Sequence, residues 1–347
     1  MLIIRPVDFP DLPALEQLAL LSRGGITTLP ANREHLGQLI GQTQSSLRKK
    51  VSLPGNESYH FVLEETDTGQ ILGISGIEAC IGLDSPFYSY RIDEIVHASR
   101  ELQIHNRIPS LHLCQDYNGT SRLCTRFLVP EADTPANAHL LSRSRMLFMA
   151  EHPKRFARRT VVELQGMVDE NGKSPFWESL GRHFFSMDLT KADYLTGIKR
   201  KTFIAELMPH YPVYVPLLNE AARNAIGQPR PDIEPVMDLL EDEGFSYQGY
   251  LDIFDAGPTL EARTDNIRSV WQSQNRTLRV GQEAAPTDAS LSWLMLSNND
   301  TGNFRVLLTR GNPEQPRIDA AAAEQLQLRD GDSVRVLQLD ADDLALN

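Results

Sequence analysis

A fold of mixed α and β elements is predicted by three features of this 347-residue sequence. Apolar residues recur at helical spacing in some windows, run or alternate as in strands in others, and Gly- or Asp-rich turns separate the two kinds. Residues 2–4 (Leu-Ile-Ile) read as a short strand, and 11–21 carry Leu12, Leu15 and Leu18 on one helical face behind Asp11 as a cap. Two strand runs, 59–63 and 71–77, flank the turn at 65–69 and form a hairpin. Residues 87–129 add further strands, the clearest being Leu123-Cys-Thr-Arg-Phe-Leu-Val129. A loop at 130–135 leads into a helix at 137–150, where Leu140/Leu147 and Leu141/Phe148 repeat at seven residues. Residues 160–164 are the next strand, and 176–185 read as a short helix turning into another strand. Farther on, a helix at 235–243 ends at Gly244, and 250–254 read as a strand. Residues 238–245 echo 176–181 in form, which hints at an internal duplication. The tail shows a strand at 304–308, a helix at 319–326 and a strand-turn pattern at 328–336 around Asp330-Gly331. The expected division is 1–195, a second α/β region at 196–275, and a small β-rich module at 276–347 with a structural or assembly role.

The length suits more than one domain, and 41% hydrophobic with 23% charged residues is ordinary for a globular protein. A net charge of -12 argues against general binding to nucleic acid or an anionic membrane, both of which need a basic face. No apolar run approaches the roughly 20 residues that cross a bilayer, and the start lacks the layout of a signal peptide, so a cytoplasmic protein is expected. Cys80, Cys114 and Cys124 are odd in number and lack metal-like spacing, so neither a disulfide framework nor a metal site is expected.

Five segments in one order then carry a resemblance: Gly24-Gly-Ile-Thr-Thr-Leu-Pro30, Val96-His-Ala-Ser99, Ser174-Pro-Phe-Trp-Glu-Ser-Leu-Gly-Arg-His-Phe-Phe185, Ala205-Glu-Leu-Met-Pro209 and Asp252-Ile-Phe-Asp-Ala-Gly-Pro-Thr259. Together they resemble the arginine N-succinyltransferase family over nearly the whole chain. The resemblance implies an α+β fold with a GCN5-related N-acetyltransferase-like domain at 1–195. It implies transfer of a succinyl group from succinyl-CoA to the α-amino group of L-arginine, or of L-ornithine, with no metal or prosthetic group. His152-Pro-Lys-Arg-Phe156 and the run at 208–218 look like α-type subunits, which implies a paralogous β-type chain as partner.

Direct attack of a neutral amine on a thioester asks the protein for positioning, a proton route and oxyanion stabilisation. For the CoA diphosphate the family pattern places an Arg-x-x-Gly-x-Gly/Ala turn at 133–138, and here it reads Asp133-Thr-Pro-Ala-Asn-Ala138. The leading Arg and first Gly are gone, and Pro135 supplies no N–H. Ala136, Asn137 and Ala138, with Arg126 and Leu128 on the preceding strand, are the candidate donor-binding residues. An ordinary loop capped by Asp133 or Thr134 is the plainer reading. The family's acid/base histidine falls on Arg230, and arginine stays protonated and takes no proton. Among the other histidines, which include His105 and His210, His97 is the first candidate base, with a structural histidine as its plainer reading.

Arg126 either suits the succinyl carboxylate or obstructs the pantetheine channel, while Glu206, Asp252 and Asp255 suit the guanidinium of the acceptor, although acids beside turns also serve as caps. The basic run Lys154, Arg155, Arg158, Arg159 suits either CoA phosphate or solvent. Two other functions stay open: a catalytically silent subunit paired with an active paralogue, and an acyltransferase of altered specificity.

Overall fold

A computed structural model describes residues 1–22, 26–197, 202–209, 211–281, 291–340 and 344, so Gly24, Gly25 and His210 lie outside the described residues. The elements begin with β1 (Leu2–Pro6), α1 (Leu12–Leu21), α2 (Arg33–Arg48), β2 (Ser58–Glu65), β3 (Gln70–Glu78), β4 (Ser89–Ser99), β5 (Ile104–Cys114), β6 (Ser121–Leu128) and α3 (Pro135–Glu151). They continue with β7 (Arg159–Glu163), α4 (Arg182–Phe185), α5 (Leu189–Gly197), α6 (Thr202–Leu207), β8 (Val213–Tyr214), α7 (Glu220–Ala225), α8 (Glu234–Asp242), β9 (Ser246–Leu251) and β10 (Pro258–Arg263). The tail holds α9 (Arg268–Gln272), β11 (Gln274–Thr277), β12 (Arg279–Val280), β13 (Ser292–Ser297), β14 (Val306–Gly311), β15 (Arg317–Ile318), α10 (Ala320–Leu326) and β16 (Ser333–Leu339). The expected α+β architecture is the one found.

Two compact units divide the chain, one of Met1–Cys80, Ser121–Arg158 and Arg263–Asn347, the other of Ile81–Thr120 and Arg159–Ala262. The first crosses the expected boundary at 275 and the second that at 195. In the first unit the strands follow the order β11-β16-β13-β14-β1-β2-β3-β6. β14 pairs antiparallel with β1, Ile4 opposite Val306, and Phe304 meets Phe61 and Phe148 at ring-centroid distances of 5.5 and 5.0 Å. Residues 276–347 thus share a sheet and an aromatic cluster with the first 80 residues. On the sheet, α1 and α2 bury Leu15, Leu18, Leu36 and Ile40 against Val62 and Ile74. Asp11 does not cap α1 through its side chain. Its carboxylate instead accepts two hydrogen bonds from Arg5, at 2.7 and 2.8 Å.

The second unit orders its strands β7-β10-β9-β4-β5-β8 and packs Trp177, Phe176, Phe254, Tyr90 and Leu251 into one core. Residues 176–185 do not turn into a strand. A π-helical turn at Trp177–Gly181 runs straight into α4, and Ser186 closes it at φ 50°. Trp177 stacks on Phe185 at 5.1 Å and donates its indole N–H to the Met187 carbonyl at 3.0 Å, so ring packing overrides the strand preference of the aromatic residues. Residues 238–242 complete α8 and 243–245 form the turn before β9, whereas Trp177–Gly181 continue directly into a second helix. β9 ends at Leu251, earlier than expected, because the Asp252 carboxylate accepts the N–H groups of Phe254 and Asp255 at 2.7 and 3.1 Å and bends the chain.

Candidate active site

In the first unit the donor-side residues gather around a defect in β6. Opposite β3, Ile74 faces Phe127 and Gly76 faces Cys124, so β6 holds one residue more than its partner, a β-bulge. Thr125 sits in it at φ 56°, a backbone conformation that a β-branched residue adopts only when its surroundings hold it there. Its hydroxyl donates to Thr28 Oγ1 at 2.8 Å and lies 3.3 Å from His60 Nε2. On the other side of the ring, Nδ1 is 3.2 Å from both Thr43 Oγ1 and Ser58 Oγ.

Burial pushes the His60 imidazole down to about 4. A base depressed in the folded state leaves the unfolded chain binding more protons between pH 6.5 and 4, so its contribution to stability falls as pH falls through that window. We expect the urea midpoint to drop between pH 7 and 4.5, with up to about 3 kcal/mol from His60. His60→Gln, compared with wild type over the same range, should flatten the slope, and an unchanged slope rejects this account.

After β6 the chain turns at Pro130–Ala132 and enters α3, whose N-cap is Thr134 and not Asp133. Thr134 Oγ1 accepts the Asn137 N–H at 3.3 Å, its carbonyl accepts the Ala138 N–H at 2.8 Å, and Asn137 Nδ2 donates to the Ala132 carbonyl at 2.9 Å. With Pro135 lacking an N–H, Ala136 alone offers a first-turn donor among the described residues. α3 is 17 residues long, and its dipole leaves the N-terminus partly positive. Leu128 is buried and pairs with Gly73 in the strand ladder. Half-buried Arg126 donates Nε–H to Ser142 Oγ at 2.9 Å. From the basic run, Arg155 turns inward and donates to the carbonyls of Ser46 and Lys49 at 3.0 and 2.8 Å, which caps the C-terminus of α2.

In the second unit the acids meet at the turn after β9. Asp255 Oδ1 accepts the Gly257 N–H and Oδ2 the Gly166 N–H, both at 2.8 Å. Gly257 has no alternative there, since a Cβ would lie 2.1 Å from the Leu164 carbonyl oxygen. Burial raises the Asp255 carboxyl well above the ordinary range, the Asp252 charge adds to this, the two N–H bonds oppose it, and Asp193 on α5 contributes in the same sense as Asp252. Asp193 is the acid that the sequence reading missed, because nothing in Lys191-Ala-Asp-Tyr194 marks it.

Arg230 lies along the same turn. Its N–H reaches the Gln165 carbonyl at 2.9 Å, Gly166 bridges Pro229, and the Gly227 N–H reaches the Ala256 carbonyl at 2.9 Å. Its guanidinium is held by Asp232, with Nη2 2.7 Å from Oδ2. Two other candidates stand elsewhere. Glu206 is exposed on α6. His97 is exposed on β4 with its ring 5.8 Å from that of Tyr214. Tyr90 of β4 pairs with Leu251, next to the acidic turn. His97 comes seven residues later (90 to 97), roughly 23 Å away at the usual rise per strand residue.

The family model described as "Arginine N-succinyltransferase beta subunit" matches residues 2–269, and the model of its C-terminal domain matches residues 275–338. The chain belongs to the arginine N-succinyltransferase family. Arginine N-succinyltransferases of Salmonella schwarzengrund (strain CVM19633) and Salmonella agona (strain SL483) are each 42% identical to it over 345 residues, 99% of both chains. The arginine/ornithine succinyltransferase subunit AI of Pseudomonas aeruginosa, a solved structure, superposes with a TM-score of 0.90 at 40% identity, covering 98% of this chain and 99% of that one.

Proposed function

We propose that this chain is an acyltransferase that moves the succinyl group of succinyl-CoA to the α-amino group of L-arginine, with L-ornithine as a second acceptor. The observation that carries the acceptor side is the Asp252–Asp255 turn, where two half-buried carboxyl groups are held close together by backbone N–H groups in a setting that suits the guanidinium of a cationic amino acid. The donor is assigned to the bulge at Thr125, where a strand interrupted by an extra residue frees backbone from the ladder, and to the Ala136 N–H at the start of α3. Attack forms the N–C bond at the thioester carbonyl and breaks C–S, the sulfur leaves as the thiolate of CoA, and the amine proton passes to a base.

Asp255 is the base we assign, since it stands on the acceptor turn and burial with the neighbouring Asp252 charge raises its carboxyl above the ordinary range, the direction a general base needs. The histidine role inferred for His97 then falls to a group on the acidic turn itself. Pairing with a related second chain belongs to the same proposal, prompted by the subunit designation of the solved relative. The reaction would take place in the cytoplasm, where acyl-CoA donors are available.

The test is release of free CoA thiol by the chain alone, purified from a host lacking such an enzyme, with succinyl-CoA and L-arginine or L-ornithine. Acceptor-dependent release supports the reading. No release from the chain alone, but release when a co-purifying relative is added back, would assign it the silent role.

A further inference from the structure

Helix α3 is buried on nearly every side and yet carries charge inward. Arg145 is only 3% exposed, with Nε–H donating to the Ser142 carbonyl at 3.2 Å and Nη1–H directed at the Cys124 carbonyl at 3.5 Å. Arg126 comes to the same residue from β6, through Ser142 Oγ. Neither guanidinium has a carboxylate within ion-pair distance among the described residues, and the exposed Asp133 acts on Arg126 only through space. Burial and the neighbouring Arg126 push Arg145 down to about 9, the direction expected of two cations confined together. Arginine does not escape such a position by losing its proton near neutral pH, and buried charges in proteins are ordinarily paired. The pair therefore lacks an anion. Its place supplies one, since it adjoins the bulge at Thr125 and the first turns of α3, to which the donor has been assigned.

We propose that Arg126 and Arg145 together receive the free carboxylate of the acyl donor and so select a dicarboxylic acyl group over a monocarboxylic one. Arg126, half-buried, makes the contact, and its planar fork suits a carboxylate. Arg145, fully buried, is a positioning residue whose charge holds the anion. This rests on the donor reading above.

Succinyl-CoA and butyryl-CoA have the same acyl length and differ in the terminal charge, so the ratio of their kcat/KM values reads the contact directly. Arg126→Met is expected to lower the succinyl-over-butyryl preference by about 100-fold or more, and Arg145→Met by about 10-fold, mostly through loss of the succinyl-CoA reaction. The melting temperature should hold or rise, because an unpaired buried charge has been replaced by an apolar chain. Arg145→Lys, which keeps the charge, should keep most of the preference. An unchanged preference in both Met variants overturns the inference, as does a fall in melting temperature with equal loss for both donors, which is the mark of a structural role. If wild type turns over neither donor, the function proposed above fails instead. Calorimetric affinity for the two acyl-CoAs, in wild type and the same variants, then still reads the preference.

Discussion

Asp255→Asn is expected to lower kcat/KM for L-arginine by at least about 100-fold while leaving the KM for succinyl-CoA near its wild-type value. The carboxylate oxygens each accept one backbone N–H, from Gly257 and Gly166. An Asn side chain offers one acceptor, and its amide must face the other N–H, so one buried donor loses its partner at a cost of about 1–3 kcal/mol. Removing a charge that burial and Asp252 oppose returns part of that cost, so folding should survive. Catalysis should not, because the substitution takes away both the counter-charge for the acceptor and the assigned base.

The pH dependence of stability gives a second readout. A carboxyl raised in the folded state means the native chain binds its proton more tightly, so the contribution is present below the unfolded value and lost as pH rises through the folded one. Asp255→Asn should remove that loss. Asp265→Asn, at an exposed acid paired with Arg263, is the control. Arginine kinetics that match the control would withdraw Asp255 from the site.

Gly76→Ala should have a large effect in the first unit. Its Cβ would lie 2.5 and 2.6 Å from Cδ2 and Nε2 of His60 and 3.2 Å from Cys124 Sγ. The imidazole cannot swing aside cheaply, being set among the hydroxyls of Thr43, Ser58 and Thr125. Overpacking of this kind costs about 1–3 kcal/mol, a shift of several degrees in melting temperature. Because His60 also helps to hold Thr125 at positive φ, turnover with succinyl-CoA should fall further than the fraction unfolded explains. Gly37→Ala on α2 has no atom within 4 Å of its Cβ and should be neutral or slightly stabilising. Equal stability of the two variants would show that the bulge tolerates the displacement.

Much of this was legible in the sequence. The hairpin β2–β3, the strand β6, the helices α1, α3, α8 and α10, and the order of the matched segments all follow from residues close together in the chain, whose periodicity or turn chemistry does not depend on distant partners. α2 was missed although Leu36, Leu39, Ile40, Thr43 and Leu47 keep helical spacing behind the Asn32 cap, because Gly37 and Gly41 weaken the pattern. The candidate acids Asp252 and Asp255 were found through their segment, and Arg230 through the position it fills.

Distant pairing was decided only by the tertiary structure. β14 finds β1 about 300 residues away in sequence, and the chain returns to its first unit twice, because alternation says which face of a strand is apolar and nothing about which strand lies beside it. The same holds for the sites. Thr125 reads as an ordinary strand residue until the ladder shows one residue too many. His60 carries no motif, and Asp193 joins the acidic turn from a separate helix. Arg145 looks like one more polar residue on α3 until the helix is buried around it. A side chain's charge and hydrogen-bonding capacity are fixed by its identity, but the desolvation and neighbours that give them consequences are set by residues far away in the chain.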